Sequence, residues 1–177
     1  MKIIKWLFII FVLFIVLFIV VGLMLPTEYS VSRSVDINST SDEIHKYVGD
    51  LKMWDKWQPW TYGDPSLVIK TGEKTSGVGA SQSWKGKDGS GELKFTKSDP
   101  KTGIEYDLFF DEGKYKCKSD MKYNSTGGST EVTWTMSGNA EIPVLGGYFA
   151  LMVSEGTGPM FEKGLKNLKT VVEKNKQ

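Results

Sequence analysis

Ser154–Lys176 reads SEGTGPMFEKGLKNLKTVVEKNK, and its periodicity decides what the rest of the chain must build. Phe161, Leu165, Leu168 and Val172 recur at helical spacing as one apolar stripe, with lysines on the other side. A helix with one greasy face must bury it against a second layer. That layer lies upstream. Candidate strands near 66–71, 78–85, 90–98, 103–111, 114–124 and 129–138 are separated by the turn clusters KDGS, SDPKTG, DEGK and NSTGGS. Val78, Ala80 and Trp84 share one parity, as do Leu93 and Phe95, then Ile104, Tyr106, Leu108 and Phe110, then Val132, Trp134 and Met136. The opposite parity is mostly Lys, Glu, Asp, Ser and Thr, so the meander has one apolar and one wet face. The expected class is α+β, a curved antiparallel sheet wrapped around the C-terminal helix. Space is expected between the layers where small residues such as Gly77, Gly79 and Ala80 fail to fill it.

Toward the N-terminus, YSVSRSVDI (29–37) alternates with period two and predicts a further strand. In NSTSDEIHKYVGDL (38–51), Ser39 or Thr40 can cap a short helix whose buried side carries Ile44, Tyr47, Val48 and Leu51. Next comes MWDKWQPW (53–60). Trp54 and Trp57 would share one face of a helical turn that Pro59 should end, leaving Trp60 to begin a loop. Two readings stay open for so much indole: core packing, or a wall over an apolar pocket.

Trp6–Leu25, WLFIIFVLFIVLFIVVGLML, contains 20 residues without a charge. As a helix it measures about 30 Å, the thickness of a bilayer's hydrocarbon core. Lys2 and Lys5 precede it and no basic residue follows until Arg33, which predicts a cytoplasmic N-terminus and a domain on the other side. A cleaved signal peptide is the alternative, although the run exceeds a usual signal and no small-x-small site follows. The expected organisation is a transmembrane anchor over 1–26, in the membrane through residues 3–25, and one domain over 27–177.

Without Lys2 and Lys5 the remaining 20 basic residues face 21 acidic ones, interspersed, so no basic surface for nucleic acid is indicated. Cys117 is the only cysteine, which excludes an intramolecular disulfide. The sequons at Asn38 and Asn124 matter only in a glycosylating host. Catalytic patterns are sparse. His45 is the sole histidine, reads as a surface residue, and leaves no cluster for a metal. Cys117 reads as a small mid-strand hydrophobe with no base to activate it. Glu105 and Asp107 fall on the wet face, which gives paired-carboxylate hydrolysis no support. GEKTSGVGAS lacks the Gly-Lys-Ser/Thr ending of a phosphate-binding loop. Arg33, the only arginine, has apolar parity on the first strand. It reads either as half of a structural ion pair or as an anchor for a ligand carboxylate or phosphate.

The pieces VSRSVDINSTSDEIHKYVGD, WDKWQPW, GVGASQSWKG, STEVTWTMSGN and MFEKGLKNLKTVVE, in that order, resemble the START-like (SRPBCC) superfamily, in particular its polyketide cyclase/dehydrase-type branch. The resemblance covers nearly all of 29–174. It implies a helix-grip fold: a strand, two short helices, six antiparallel strands and a long C-terminal helix around a hydrophobic cavity. It also implies that the tryptophan segment closes one end of that cavity, with Trp57 toward the core and Trp60 nearer the rim. The expected lining is Arg33, Trp57, Trp60, Trp84 and Phe95, together with Tyr106, Leu108, Trp134, Met136 and Phe161. No cofactor is expected. The expected function is membrane-tethered binding, with or without transfer, of a lipid or other hydrophobic small molecule. A polyketide cyclase or dehydratase, and an interaction domain with an incidental cavity, are the alternatives.

Overall fold

A computed structural model of the protein describes residues 2–60, 64–87 and 89–175. The N-terminal apolar run forms α1 (Lys2–Met24), and β1 (Glu28–Ile37) follows within a few residues. Next come α2 (Ser41–Val48) and a 3-10 turn (Leu51–Lys56). Six strands succeed them: β2 (Val68–Thr71), β3 (Ser81–Gly86), β4 (Gly89–Asp99), β5 (Gly103–Phe110), β6 (Tyr115–Thr126) and β7 (Ser129–Asn139). The chain ends in α3 (Gly146–Lys174).

The seven strands form one antiparallel sheet in the order β1-β7-β6-β5-β4-β3-β2. A register slip between Phe95 and Lys97 adds curvature, as an extra residue on one strand bends it. The concave face carries Leu93, Phe95, Ile104, Tyr106, Leu108, Val132, Trp134 and Met136, the alternation expected from the sequence, and α3 packs Phe161, Leu165, Leu168 and Val172 against it. This is the expected helix-grip architecture, with an apolar helix in front.

Three local expectations need revision. Trp60 is itself helical where the start of a loop is expected, and residues 61–63, which follow it, lie outside the described set. Val78 is 55% exposed and precedes β3. Gly77 and Gly79 adopt φ of 71° and 88° in the turn before β3, a left-handed conformation that suits glycine, so their smallness serves the turn and opens no space. Ala80 is wholly buried in the core. The KDGS turn includes Asp88, and the C-terminal stretch includes Lys176; both fall outside the described residues.

Helix α3 begins eight residues before Ser154, because GGYFALMV (146–153) continues the helix without a polar face. The tryptophans hang from α2: Trp54 Nε1 donates to the Val48 carbonyl (2.9 Å) and Trp57 Nε1 to that of Tyr47 (3.2 Å). His45 is not a surface residue. It lies half-buried, with Nδ1 3.2 Å from the Tyr123 hydroxyl and Nε2 3.1 Å from that of Ser98, joining α2 to the sheet.

Candidate functional site: an apolar cavity under the C-terminal helix

Between the sheet and α3 lies a cavity of about 770 Å³, within the range of small-molecule sites. Its floor is Trp54, Tyr106 and Trp134, and Phe161 and Met160 of α3 form one wall. The indole of Trp134 stacks on Phe161, and Trp60 meets both rings edge-on, at centroid distances of 5.9 and 6.3 Å. Trp84, Leu93, Leu108 and Met136 extend the lining along the sheet, and Leu67 and Ile69 add to it from the β2 side.

Of the residues singled out from the sequence, Trp60, Trp84, Tyr106, Leu108, Trp134, Met136 and Phe161 come together here. Three do not. Trp57 and Phe95 are each 1% exposed and pack behind the lining against Trp54. Arg33 sits on the edge strand β1, where its Nε donates to Glu162 Oε1 at 2.6 Å, and it lies across Gly158 of α3. Its side chain stays 40% exposed, so the position snorkels to solvent instead of burying a charge.

The polar groups in this apolar space are few. Trp134 Nε1 donates to both the Tyr106 hydroxyl (2.9 Å) and the Ser119 hydroxyl (3.2 Å), and Ser119 Oγ donates to the Thr135 carbonyl. Burial pushes the Tyr106 hydroxyl well above its ordinary pKa, so it keeps its proton. Asp64 accepts from the Ser66 hydroxyl and from the backbone N–H groups of Ser66 and Lys87, and these bonds hold it below the usual carboxylate range. Gln82 is different: it is 4% exposed, faces the cavity, and its Oε1 has no hydrogen-bond partner among the described residues. Cys117 is buried, and desolvation raises its thiol to about 11, unsuited to a nucleophile.

Sequence reasoning missed Gln82 and Ser119 because it assigns polar residues to the wet face. Gln82 has the parity of Ala80 and Trp84, and Ser119 pairs across the sheet with Tyr106 and Met136, so strand register alone places both inward.

Residues 28–173 match the family described as polyketide cyclase/dehydrase and lipid transport. The chain belongs to that family. No curated protein matches the sequence. Among solved structures similar to this family member, TTHA0849 from Thermus thermophilus has 16% identity and a TM-score of 0.61, covering 84% of this chain and 99% of its own. KanY has 16% identity and a TM-score of 0.61, with 82% and 98% coverage. DynU16, from the dynemicin biosynthetic locus, has 14% identity and a TM-score of 0.59; 81% of this chain is covered, but only 47% of DynU16. At such identities the likeness is one of fold.

Proposed function

We propose that the protein holds a lipid or similar apolar small molecule in this cavity and is tethered to a membrane by residues 1–26, with the domain over 27–177 on the extracytoplasmic side. The observation that carries the reading is the cavity lining: mostly aromatic and aliphatic side chains and, among the described residues, one buried amide oxygen without a partner, that of Gln82. Such a surface favours an apolar body through burial and orients it by one polar group. A ligand hydroxyl, amide or carboxyl able to donate to Gln82 Oε1 would satisfy an atom that otherwise stays desolvated.

The tether reading rests on α1, a helix long and apolar enough to cross a bilayer and only 6% buried against the rest of the protein. The orientation follows from the basic residues at its start. The ionisable cavity groups offer no acid–base pair among the described residues, which favours binding over catalysis: Asp64 is fully engaged, Tyr106 holds its proton, and Asp111 and Lys116 stand at the exposed rim.

The test is to purify the full chain in mild detergent, extract it with organic solvent, and identify what is released by mass spectrometry, alongside displacement of a fluorescent fatty acid. One co-purifying apolar species per chain, displaced by the probe, is expected. An empty extract together with no probe binding would overturn the reading.

A further inference from the structure

The topology puts the exposed part of the cavity at a defined end of the domain. The lining residues Tyr29, Ser90, Phe110, Tyr115, Lys116 and Ala140 lie at the start of β1, the start of β4, the β5–β6 turn and the end of β7. In an antiparallel sheet all of these positions share one edge, and pairs such as Glu28 with Asn139 and Phe110 with Tyr115 fix it. The same edge receives the chain from α1 and sends it into α3.

Helix α3 does not begin clear of α1. The Tyr148 hydroxyl donates to the Phe18 carbonyl at 2.8 Å, and the two rings stack at 4.5 Å and 2°. Gly22 of α1 abuts the Val144 carbonyl and Gly147 abuts Leu25, contacts too close for any larger side chain. Phe18 stands six residues before Met24, the end of α1, which is about 9 Å along a helix axis. When α1 spans a bilayer, the first turns of α3 therefore lie below the end of the span. Their chemistry suits that depth: residues 142–153, IPVLGGYFALMV, carry no charge. Leu145, Phe149, Leu151 and Met152 are 51%, 39%, 51% and 70% exposed, an unusual concentration of bare apolar side chains beside the mouth. Phe149 also lines the cavity and stacks with Tyr115 across its mouth, at 6.4 Å and 24°.

We infer that residues 142–153 form a second membrane-embedded element beside α1, and that the cavity opens beside the Phe149–Tyr115 pair directly onto the bilayer, whose lipids are its source of ligand. This rests on the tether reading, in which α1 spans. An apolar ligand then passes from acyl chains to aromatic lining without crossing water.

The test uses the full chain with Cys117→Ala and one new cysteine carrying an environment-sensitive fluorophore, in vesicles of phosphatidylcholine with or without brominated acyl chains. Labels at Met152→Cys and Val12→Cys are expected to be quenched by bromine, at least about twofold more than a label at Lys166→Cys on the far half of α3. Quenching at Val12 but not at Met152 would overturn this inference and leave the tether intact. Quenching at neither would overturn both. A blue shift at Met152 that grows with protein density and ignores bromine would mean that a second copy of the chain covers the patch, which also overturns it. A companion readout is transfer of a fluorescent fatty acid from vesicles: Met152→Glu with Leu151→Glu should slow it severalfold while leaving affinity for detergent-dispersed probe unchanged. Equal transfer rates would sink the proposed route even if the segment is embedded.

Discussion

Trp134 of β7 and Phe161 of α3 stack face to face, with centroids 4.0 Å apart and planes 6° from parallel. This contact pins the helix to β7, beside the edge strand β1, and forms the cavity's inner wall. Truncating either ring to alanine should destabilise the protein by about 3–5 kcal/mol, as expected for a buried aromatic. Thr133→Ala and Lys94→Ala, of opposite parity, should change stability little. Urea unfolding of the four variants in detergent checks the ranking, and equal losses in all four would contradict the register.

Gln82 presents the opposite case. Its Oε1 is buried without a partner, so Gln82→Leu should raise stability by about 1 kcal/mol in the ligand-free protein by removing a desolvated amide. The same change should weaken binding of a fatty acid or fatty amide more than binding of an alkane of equal length. A uniform loss across these ligands would mean that the amide does not read the polar group.

Arg33 and Glu162 are paired at the surface, with side chains 40% and 62% exposed. Exposed pairs contribute at most about 1 kcal/mol. Arg33→Ala should therefore lower stability by less than that, and increasingly little as salt is raised. Because the side chain stays out of the cavity, probe affinity should be unchanged, and a tenfold loss would restore its role as a ligand anchor.

His45 supplies a pH dependence. Burial lowers its pKa from 6.5, against the raising influence of Asp99 and Asp42. The folded state thus binds this proton less readily than the unfolded chain. Stability from this source is fully present above pH 6.5, and it declines as the pH falls below that value toward the folded pKa. Denaturation at steps down to about pH 5, above most carboxylate titrations, should show the decline. His45→Gln should flatten it. An unchanged slope in the variant would assign the effect elsewhere.

Much of this was legible because alternation and helical stripes are local signals. β5 shows it best: Ile104, Tyr106 and Leu108 are buried, while Glu105 and Asp107 are less so, as parity alone predicts. The misses share a physical origin. Trp57 is expected both toward the core and in the lining, and only the first holds: it packs behind Trp54, which takes the place on the cavity floor, while Trp60 reaches the cavity wall. His45 reads as a surface residue because its partners, Tyr123 and Ser98, are distant in the chain. The early start of α3 escapes because an uncharged run has no wet face to give it a phase, the same property that suits it to lipid.

The contacts of Gly22, Leu25 and Thr27 with the stretch from Ala140 to Tyr148 turn what looks like a leash into a bracket. A leashed domain tumbles and presents every face in turn, whereas a bracketed one has a fixed heading. With α1 across a bilayer, as proposed, its far end, with the β4–β5 and β6–β7 turns and the end of β1, would always point away from the lipid. In that setting any partner dissolved in the aqueous compartment would meet that end, and two such molecules in one membrane could approach only flank to flank, like posts in a floor.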